Sequence, residues 1–139
     1  MKKQDLPTIA NLNLDIDLVR LREATDTLAQ KFVDVRTANP MLCDNHMELV
    51  ADVYDNFEQI NLTEPSEILP YEPSIKKRLR RREEHLYNQP TEDYTGSVFE
   101  EIVTQLKAPA SRVRITKLAP GKTIPFHDDY DVSYAVRCI

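Results

Sequence analysis

The hydrophobic pattern of the chain changes from a mainly helical period to an alternating one near residue 110, and this change constrains the fold more than any other feature. Before it, apolar residues recur every three to four positions, as in amphipathic helices. After it, "SRVRITKL" (111–118), "KTIPFHDD" (122–129) and "VSYAVRCI" (132–139) alternate apolar and polar residues, as strands do. The sequence therefore predicts an α+β fold in which helices come first and strands follow.

Capping residues mark where two of the helices are expected to begin. Asp17 can cap a helix that reaches about Phe32. Ser97 and Glu100 form an S-x-x-E capping box for a helix that runs to about Lys107. The residues expected on the buried faces of these two helices are Leu18, Leu21, Leu28 and Phe32 in the first and Val98, Ile102 and Leu106 in the second.

Four further segments complete the expected layout. "NLNLDID" (11–17) alternates and predicts a short strand, and a helix is expected from His46 to about Phe57. The proline-rich segment 59–74 predicts an ordered, extended loop. Residues 74–90 are expected to begin as a helix and to end at or before Pro90.

The scarcity of glycine argues against a closed all-β fold. The chain has two glycines and nine prolines, whereas closed β folds use more glycine in their turns. Pro120 and Gly121 fit the two central positions of a type II turn between the first two strands. A chain of 139 residues is expected to form a single domain. We divide that domain into a mainly helical and loop region, 1–110, and a strand region, 111–139.

Charge and cysteine content limit the classes of function and the compartment. The net charge of −5 argues against a general polyanion binder. No apolar run approaches the ~20 residues that a membrane span needs, and the N-terminus lacks the apolar region of a secretory signal. Cys43 and Cys138 are expected to be two reduced thiols. A cytoplasmic location is therefore expected.

The strand region ends in a way that indicates a longer protein. Three strands with one apolar face do not close a barrel, and an apolar edge ending at Cys138 and Ile139 would be left unpaired. We therefore expect this sequence to be the N-terminal part of a larger domain whose sheet continues beyond Ile139.

His127 and Asp129 are two positions apart in a segment predicted as strand. Alternate strand residues point to the same side, so both side chains can converge on one atom while Asp128 faces away. An imidazole with a carboxylate suits a divalent first-row metal, and two histidines with one carboxylate form the ligand set of non-haem Fe(II) oxygenases. The spacing alone also fits a histidine and an aspartate that are solvated at a strand end, so both interpretations stay open.

The surrounding motif resembles that of a known family. The string "RVRITKLAPGKTIPFHDDYDVSYAVR" resembles the core signature of the aspartyl/asparaginyl β-hydroxylase-like branch of the Fe(II)/2-oxoglutarate dioxygenases. The matching elements are a strand with Arg112 and Arg114, a Leu-x-Pro-Gly turn (118–121), a short strand (124–126), the His-x-Asp pair, and Arg137. The resemblance covers about residues 95–139.

The resemblance implies a double-stranded β-helix, the cupin-like or jelly-roll fold, of which this sequence holds the first strands. It implies a hydroxylase of an amino acid, a peptidyl Asp or Asn, or a related small molecule. Fe(II) would be held by His127, Asp129 and a distal histidine beyond Ile139. The enzyme would use 2-oxoglutarate and O₂ and release succinate and CO₂.

The resemblance also assigns roles to two arginines. In the family, the arginine that follows the first ligand pair meets a carboxylate of the cosubstrate or substrate, and Arg137 matches it; Arg114 is a second candidate for such a contact. Some members carry R-x-H at this point, whereas this chain has Arg137-Cys138-Ile139. His46 and His85 lie where the family has no ligand. We therefore expect weak metal affinity and no turnover from these 139 residues alone.

Two other functions stay open as alternatives. A cupin-like protein could use a similar hairpin to bind a small molecule without oxygen chemistry. The run from Lys76 to Arg82 holds six basic residues in seven and could contact nucleic acid or phosphate. Because Glu83 and Glu84 follow at once, a solvated helix with internal salt bridges is the better explanation, which argues against a nucleic-acid partner.

Overall fold

The computed structural model of the chain describes residues 12–38, 57–70 and 83–122. These residues form three α-helices and five short strands. The helices are α1 (Leu18–Thr27), α2 (Val35–Ala38) and α3 (Val98–Thr104), and the strands are β1 (Val33–Asp34), β2 (Phe57–Asn61), β3 (Thr63–Glu64), β4 (Gln89–Pro90) and β5 (Arg114–Leu118). Two 3₁₀ turns, Ala29–Lys31 and Glu83–Leu86, precede β1 and β4.

The strands form two antiparallel sheets. In the larger sheet the order is β1-β2-β5, so β2 lies in the centre. The register between β2 and β5 runs from Phe57 opposite Leu118 to Asn61 opposite Arg114, and β1 places Val33 opposite Gln59. Strands β3 and β4 form a two-stranded ribbon. The larger sheet therefore joins segments that are far apart in the sequence.

The hydrophobic core lies on one face of the larger sheet, beneath α1 and α3. Its buried members are Leu28, Ile60, Leu62, Tyr94, Val98 and Phe99. Ile115, the cross-strand partner of Ile60, packs against the same cluster. Burial raises the pKa of the Tyr94 hydroxyl, and the nearby Glu100 carboxylate adds to that effect.

Helix α1 begins as predicted and ends earlier than predicted. The Asp17 carboxylate accepts hydrogen bonds from the backbone N–H groups of Val19 and Arg20 at 3.0 and 3.1 Å, which confirms the N-cap. The helix ends at Thr27, where the chain tightens into the 3₁₀ turn Ala29–Lys31 and the backbone N–H of Leu28 donates to the Thr25 carbonyl three residues earlier at 3.1 Å.

The predicted buried face of α1 is confirmed except at its first residue. Leu28 is buried, and Leu21 and Phe32 pack against the core. Leu18, however, is 70% exposed, so its placement in the core was wrong. The core contacts only the later turns of the helix, and Leu18 lies one turn before Leu21.

Helix α3 has the predicted capping residues. The Ser97 hydroxyl accepts a hydrogen bond from the backbone N–H of Glu100 at 3.3 Å, and the Glu100 carboxylate accepts one from the N–H of Gly96 at 2.7 Å. The helix ends at Thr104 instead of Lys107, because Lys107 adopts a left-handed backbone with φ of +53°. Val98 is buried and Ile102 packs on the core, as predicted.

Two polar contacts join the exposed sides of α1 and α3. The Arg20 guanidinium donates to both carboxylate oxygens of Glu101, at 2.8 and 2.9 Å. The Gln105 amide exchanges two hydrogen bonds with the backbone of Asp15, at 2.7 and 2.8 Å. Because Arg20 donates to it, the pKa of the Glu101 carboxyl is lowered, and the pKa of Arg20 is raised in turn.

Three further predictions made from the sequence were wrong. Residues 12–17 form no strand, since their backbone has no strand partner. The segment expected to be an extended loop holds the central strand β2 and the short strand β3. Phe57, expected at the end of a helix, is the first residue of β2. Pairing with β5 and β4 imposes the extended conformation on this segment.

The α+β class and the strand at 114–118 are confirmed. The double-stranded β-helix stays a prediction, as only two small antiparallel sheets fall within the described residues. The predicted helix from His46 to about Phe57 lies outside them up to residue 56. The whole basic run (76–82) and the strands predicted after residue 122 also lie outside them. Among the helices described, none combines the length and apolar character that a membrane span requires.

Candidate functional site

Arg114 is the predicted site residue that the structure describes. It is the first residue of β5, it is half-buried, and it lies opposite Asn61 on β2. Side chains alternate between the faces of a sheet, and Ile115 faces the core. Arg114 and Asn61 therefore project from the opposite face, away from the hydrophobic core.

A chain of amide hydrogen bonds runs across this second face. The Gln59 Nε2 donates to Asn61 Oδ1 at 2.7 Å, and Asn61 Nδ2 donates to the carbonyl oxygen of Ala38 at 2.6 Å. Gln59 is fully buried, and its Oε1 atom has no hydrogen-bond partner among the residues that the structure describes. These contacts attach β2 to the end of α2 and give the sheet a polar face beside Arg114.

The chain reverses its direction directly after β5. The backbone N–H of Lys122 donates to the carbonyl of Ala119 at 3.1 Å, and Gly121 has a φ of +75°. A proline at the second position and a positive φ at the third are the marks of a type II turn. The turn predicted at Pro120 and Gly121 is therefore confirmed.

Arg112, the other arginine of this motif, lies just before β5 and is held by Tyr87. Its backbone N–H donates to the Tyr87 carbonyl at 2.8 Å, and its guanidinium carbon lies 5.2 Å from the centre of the Tyr87 ring. Its φ of +54° is unusual for a residue with a side chain. These contacts fix Arg112 against the buried Tyr87, and Arg114 is the motif arginine that the strand presents on its second face.

The remaining predicted site residues, His127, Asp129 and Arg137, lie outside the described residues, so their joint geometry stays a prediction. His85 lies in the 3₁₀ turn Glu83–Leu86 and is exposed. Within residues 12–38, 57–70 and 83–122, no group of three or more His, Cys, Asp or Glu side chains could hold a metal ion.

Gln59 and Asn61 were missed from the sequence as members of the candidate site. The available signal was the alternation of Phe57, Gln59 and Asn61 with Glu58 and Ile60, which places the first three on one side of a strand. However, both faces of this strand carry polar residues, and prolines follow it closely. The same segment is therefore also compatible with a loop.

Comparisons with protein-family models, with curated proteins and with solved structures give no match.

Proposed function

We propose that the chain is part of an Fe(II)/2-oxoglutarate-dependent dioxygenase that hydroxylates an amino acid, a peptidyl Asp or Asn, or a related small molecule. His127 and Asp129 hold the iron, and a distal histidine beyond Ile139 supplies the third protein ligand. Arg137 and Arg114 bind carboxylates of the cosubstrate or substrate. The main support is the confirmed turn at residues 119–122, which stands between the Arg114 strand and the His-x-Asp pair as the motif requires.

The turn defines a register for the strand that is expected to follow. In an antiparallel hairpin that is closed by Ala119 opposite Lys122, residue 114 pairs with residue 127. His127 and Asp129 would then project from the same face as Arg114, which is the face away from the core. The proposal therefore predicts that the two metal ligands and a carboxylate-binding arginine share one side of the sheet.

Pro125 is compatible with this register. It would stand opposite Thr116, two pairs before the pair of Arg114 and His127. Pairs in an antiparallel hairpin alternate between hydrogen-bonded and non-hydrogen-bonded, and the pair that closes this turn is hydrogen-bonded. Thr116 and Pro125 would form a non-hydrogen-bonded pair, in which the missing N–H of proline is not needed.

The donor chemistry fits the proposed metal. One imidazole and one carboxylate on a single side leave room for a second histidine and for the oxygen ligands of 2-oxoglutarate. Bound iron would supply the oxidising power for hydroxylating an unactivated carbon. An arginine guanidinium binds a carboxylate through two parallel hydrogen bonds, which fixes the orientation of the acid as well as its position. Arg114 is suited to this task because the amides of Gln59 and Asn61 keep its surroundings polar.

An assay of coupled turnover tests the proposal. The 139-residue chain, given Fe(II), 2-oxoglutarate, O₂ and candidate substrates, is expected to release no substrate-coupled succinate. The chain extended past Ile139 to include the distal histidine is expected to release it, and His127→Ala in that protein is expected to abolish release. Robust coupled turnover by the 139 residues alone would refute the assignment of the third ligand to a downstream histidine.

The downstream reading frame separates this proposal from a cupin-like binding protein. A histidine some tens of residues after Ile139, followed within about ten residues by Arg or Lys, would support the oxygenase. A second pair of closely spaced histidines would support the cupin-like alternative instead.

A further inference from the structure

A cleft of about 770 Å³ lies at the end of β2, between α2 and the ribbon of β3 and β4. Its volume falls in the range of sites that hold small molecules or single side chains of a partner. The cleft is open on one side. Asn61 of the polar sheet face lines it, Arg114 does not, and no function proposed above is assigned to the cleft itself.

The floor of the cleft is apolar. Ile60 and Pro90 line it, and Ile68 stands at its edge with 63% of its surface exposed. A large aliphatic side chain with this much exposure has apolar surface to bury against a ligand. The floor is therefore suited to the hydrocarbon part of a bound group.

The rim of the cleft is acidic. Glu64 and Glu92 line it and are exposed, and neither makes an ion pair with another residue in the part of the chain that the structure describes. A third acid, Asp93, is already paired with Lys31 at 2.7 and 2.8 Å. Three acidic residues against one lysine give the lining an excess of two negative charges.

We propose that this cleft is a docking site for a basic segment of a partner protein. The methylene stem of a lysine or arginine packs on Ile68 and Pro90, while its cationic head meets Glu64 and Glu92. Lys and Arg combine an apolar stem with a charged tip, which matches an apolar floor below an acidic rim. This proposal is independent of the oxygenase function.

Fluorescence anisotropy with a labelled peptide tests the proposal on the full 139-residue chain. The probe is fluorescein-labelled Ala-Leu-Lys-Leu-Arg-Ala, and its neutral counterpart carries norleucine for the lysine and citrulline for the arginine. The basic peptide is expected to bind and to lose affinity as salt is added, because added ions screen the exposed carboxylates. The neutral peptide is expected to bind roughly tenfold more weakly.

Matched variants locate the binding site. Glu64→Gln and Glu92→Gln together are expected to weaken binding roughly tenfold, since two exposed ion pairs of modest strength are lost. The control is Glu23→Gln with Asp26→Asn, which removes two exposed acids from α1 and changes the net charge by the same amount. The control is expected to bind within about twofold of the wild type, because neither residue lines the cleft.

Several results would overturn the docking proposal. If the cleft variant and the control lost peptide affinity equally, the basic peptide would be attracted only by the net negative charge of the protein. Equal binding of the neutral peptide would remove the role of the rim carboxylates. A chain that binds no peptide but self-associates, and loses that self-association in the cleft variant, would place a second copy of the chain in the cleft.

Discussion

At the scale of single residues, the backbone of Lys107 carries a local strain that a substitution can remove. Lys107 follows helix α3 with a φ of +53°, a conformation that costs residues with a Cβ about 1 kcal/mol. Its side chain is exposed. Lys107→Gly is therefore expected to raise the free energy of unfolding by about 1 kcal/mol in urea titrations. Lys107→Ala keeps the Cβ and is expected to give no such gain; equal gains would contradict this explanation.

Gly121 is predicted to affect both stability and metal binding, because it shapes the turn before the His-x-Asp pair. Within the described part of the chain, a Cβ at Gly121 would meet no atom within 4 Å, so Gly121→Ala is expected to cost about 1 kcal/mol through its φ of +75°. Gly96 has a φ of +74° and equally open surroundings, so Gly96→Ala is a matched control. Both variants should lose similar stability, measured by urea unfolding. Only Gly121→Ala should weaken metal binding, measured by titration, and equal effects on both would contradict the role of the turn.

The two helix caps and the turn that were correctly predicted from the sequence involve only residues that are close together along the chain. Asp17 and Ser97 cap helices through N–H groups two or three residues away, and Gly121 closes a four-residue turn. Such interactions are decided within one short segment, so the local sequence contains the information. Leu18 was misplaced because its burial depends on where the core contacts α1.

At the scale of elements, the stability of strand β2 depends on the side-chain amide hydrogen bonds that connect it to α2. Asn61→Ala removes the hydrogen bond to the Ala38 carbonyl and leaves the Nε2 of the buried Gln59 without its acceptor. We expect a loss of about 2 kcal/mol in the free energy of unfolding, since an unsatisfied buried polar group costs its desolvation. Asn88→Ala, at an exposed amide that bonds the His85 carbonyl, is the control and should lose less than half as much. Similar losses in both would contradict a special role for Asn61.

Strand β2 could not be predicted from its own sequence. The five residues "FEQIN" carry polar side chains on both faces, and Gln59 is fully buried although its type is usually exposed. The segment becomes a strand because β5, more than fifty residues later, pairs with all five residues. Long-range pairing of this kind overrides local preference, so β2 and its site residues appear only in the folded structure.

The contact between α1 and α3 is predicted to make stability depend on pH. Arg20 lowers the pKa of the Glu101 carboxyl below its ordinary value of 4.5, so the folded state favours the ionised form. The stabilisation is present above that value and is lost as the pH falls through the lowered pKa. Wild type should therefore melt at a higher temperature than Glu101→Gln at neutral pH, with the difference shrinking in acid. A difference that is constant or grows on acidification would contradict this account.

At the scale of the whole molecule, the two faces of the larger sheet have different roles. Apolar residues of α1 and α3 cover one face, and Gln59, Asn61 and Arg114 give the other a polar character. The change of hydrophobic period predicted helices first and strands only after about residue 110. The strand at 114–118 is found, but the other four described strands lie before residue 110, so the predicted order is wrong. The turn at residues 119–122 was also predicted from the sequence, and the role of Arg114 stays a prediction. The polar face could be recognised only after the structure placed β2 beside β5.

The central claim is that His127 and Asp129 hold one metal ion on the face that carries Arg114. Its most direct test is paramagnetic broadening of the amide signals of the ¹⁵N-labelled chain by Mn²⁺, which stands in for Fe²⁺. The account predicts broadening centred on residues 127 and 129 and including Arg114. It predicts loss of this broadening in His127→Ala and in Asp129→Ala, and its retention in Asp128→Ala. Broadening that survives both ligand substitutions, or that Asp128→Ala removes equally, would contradict the claim.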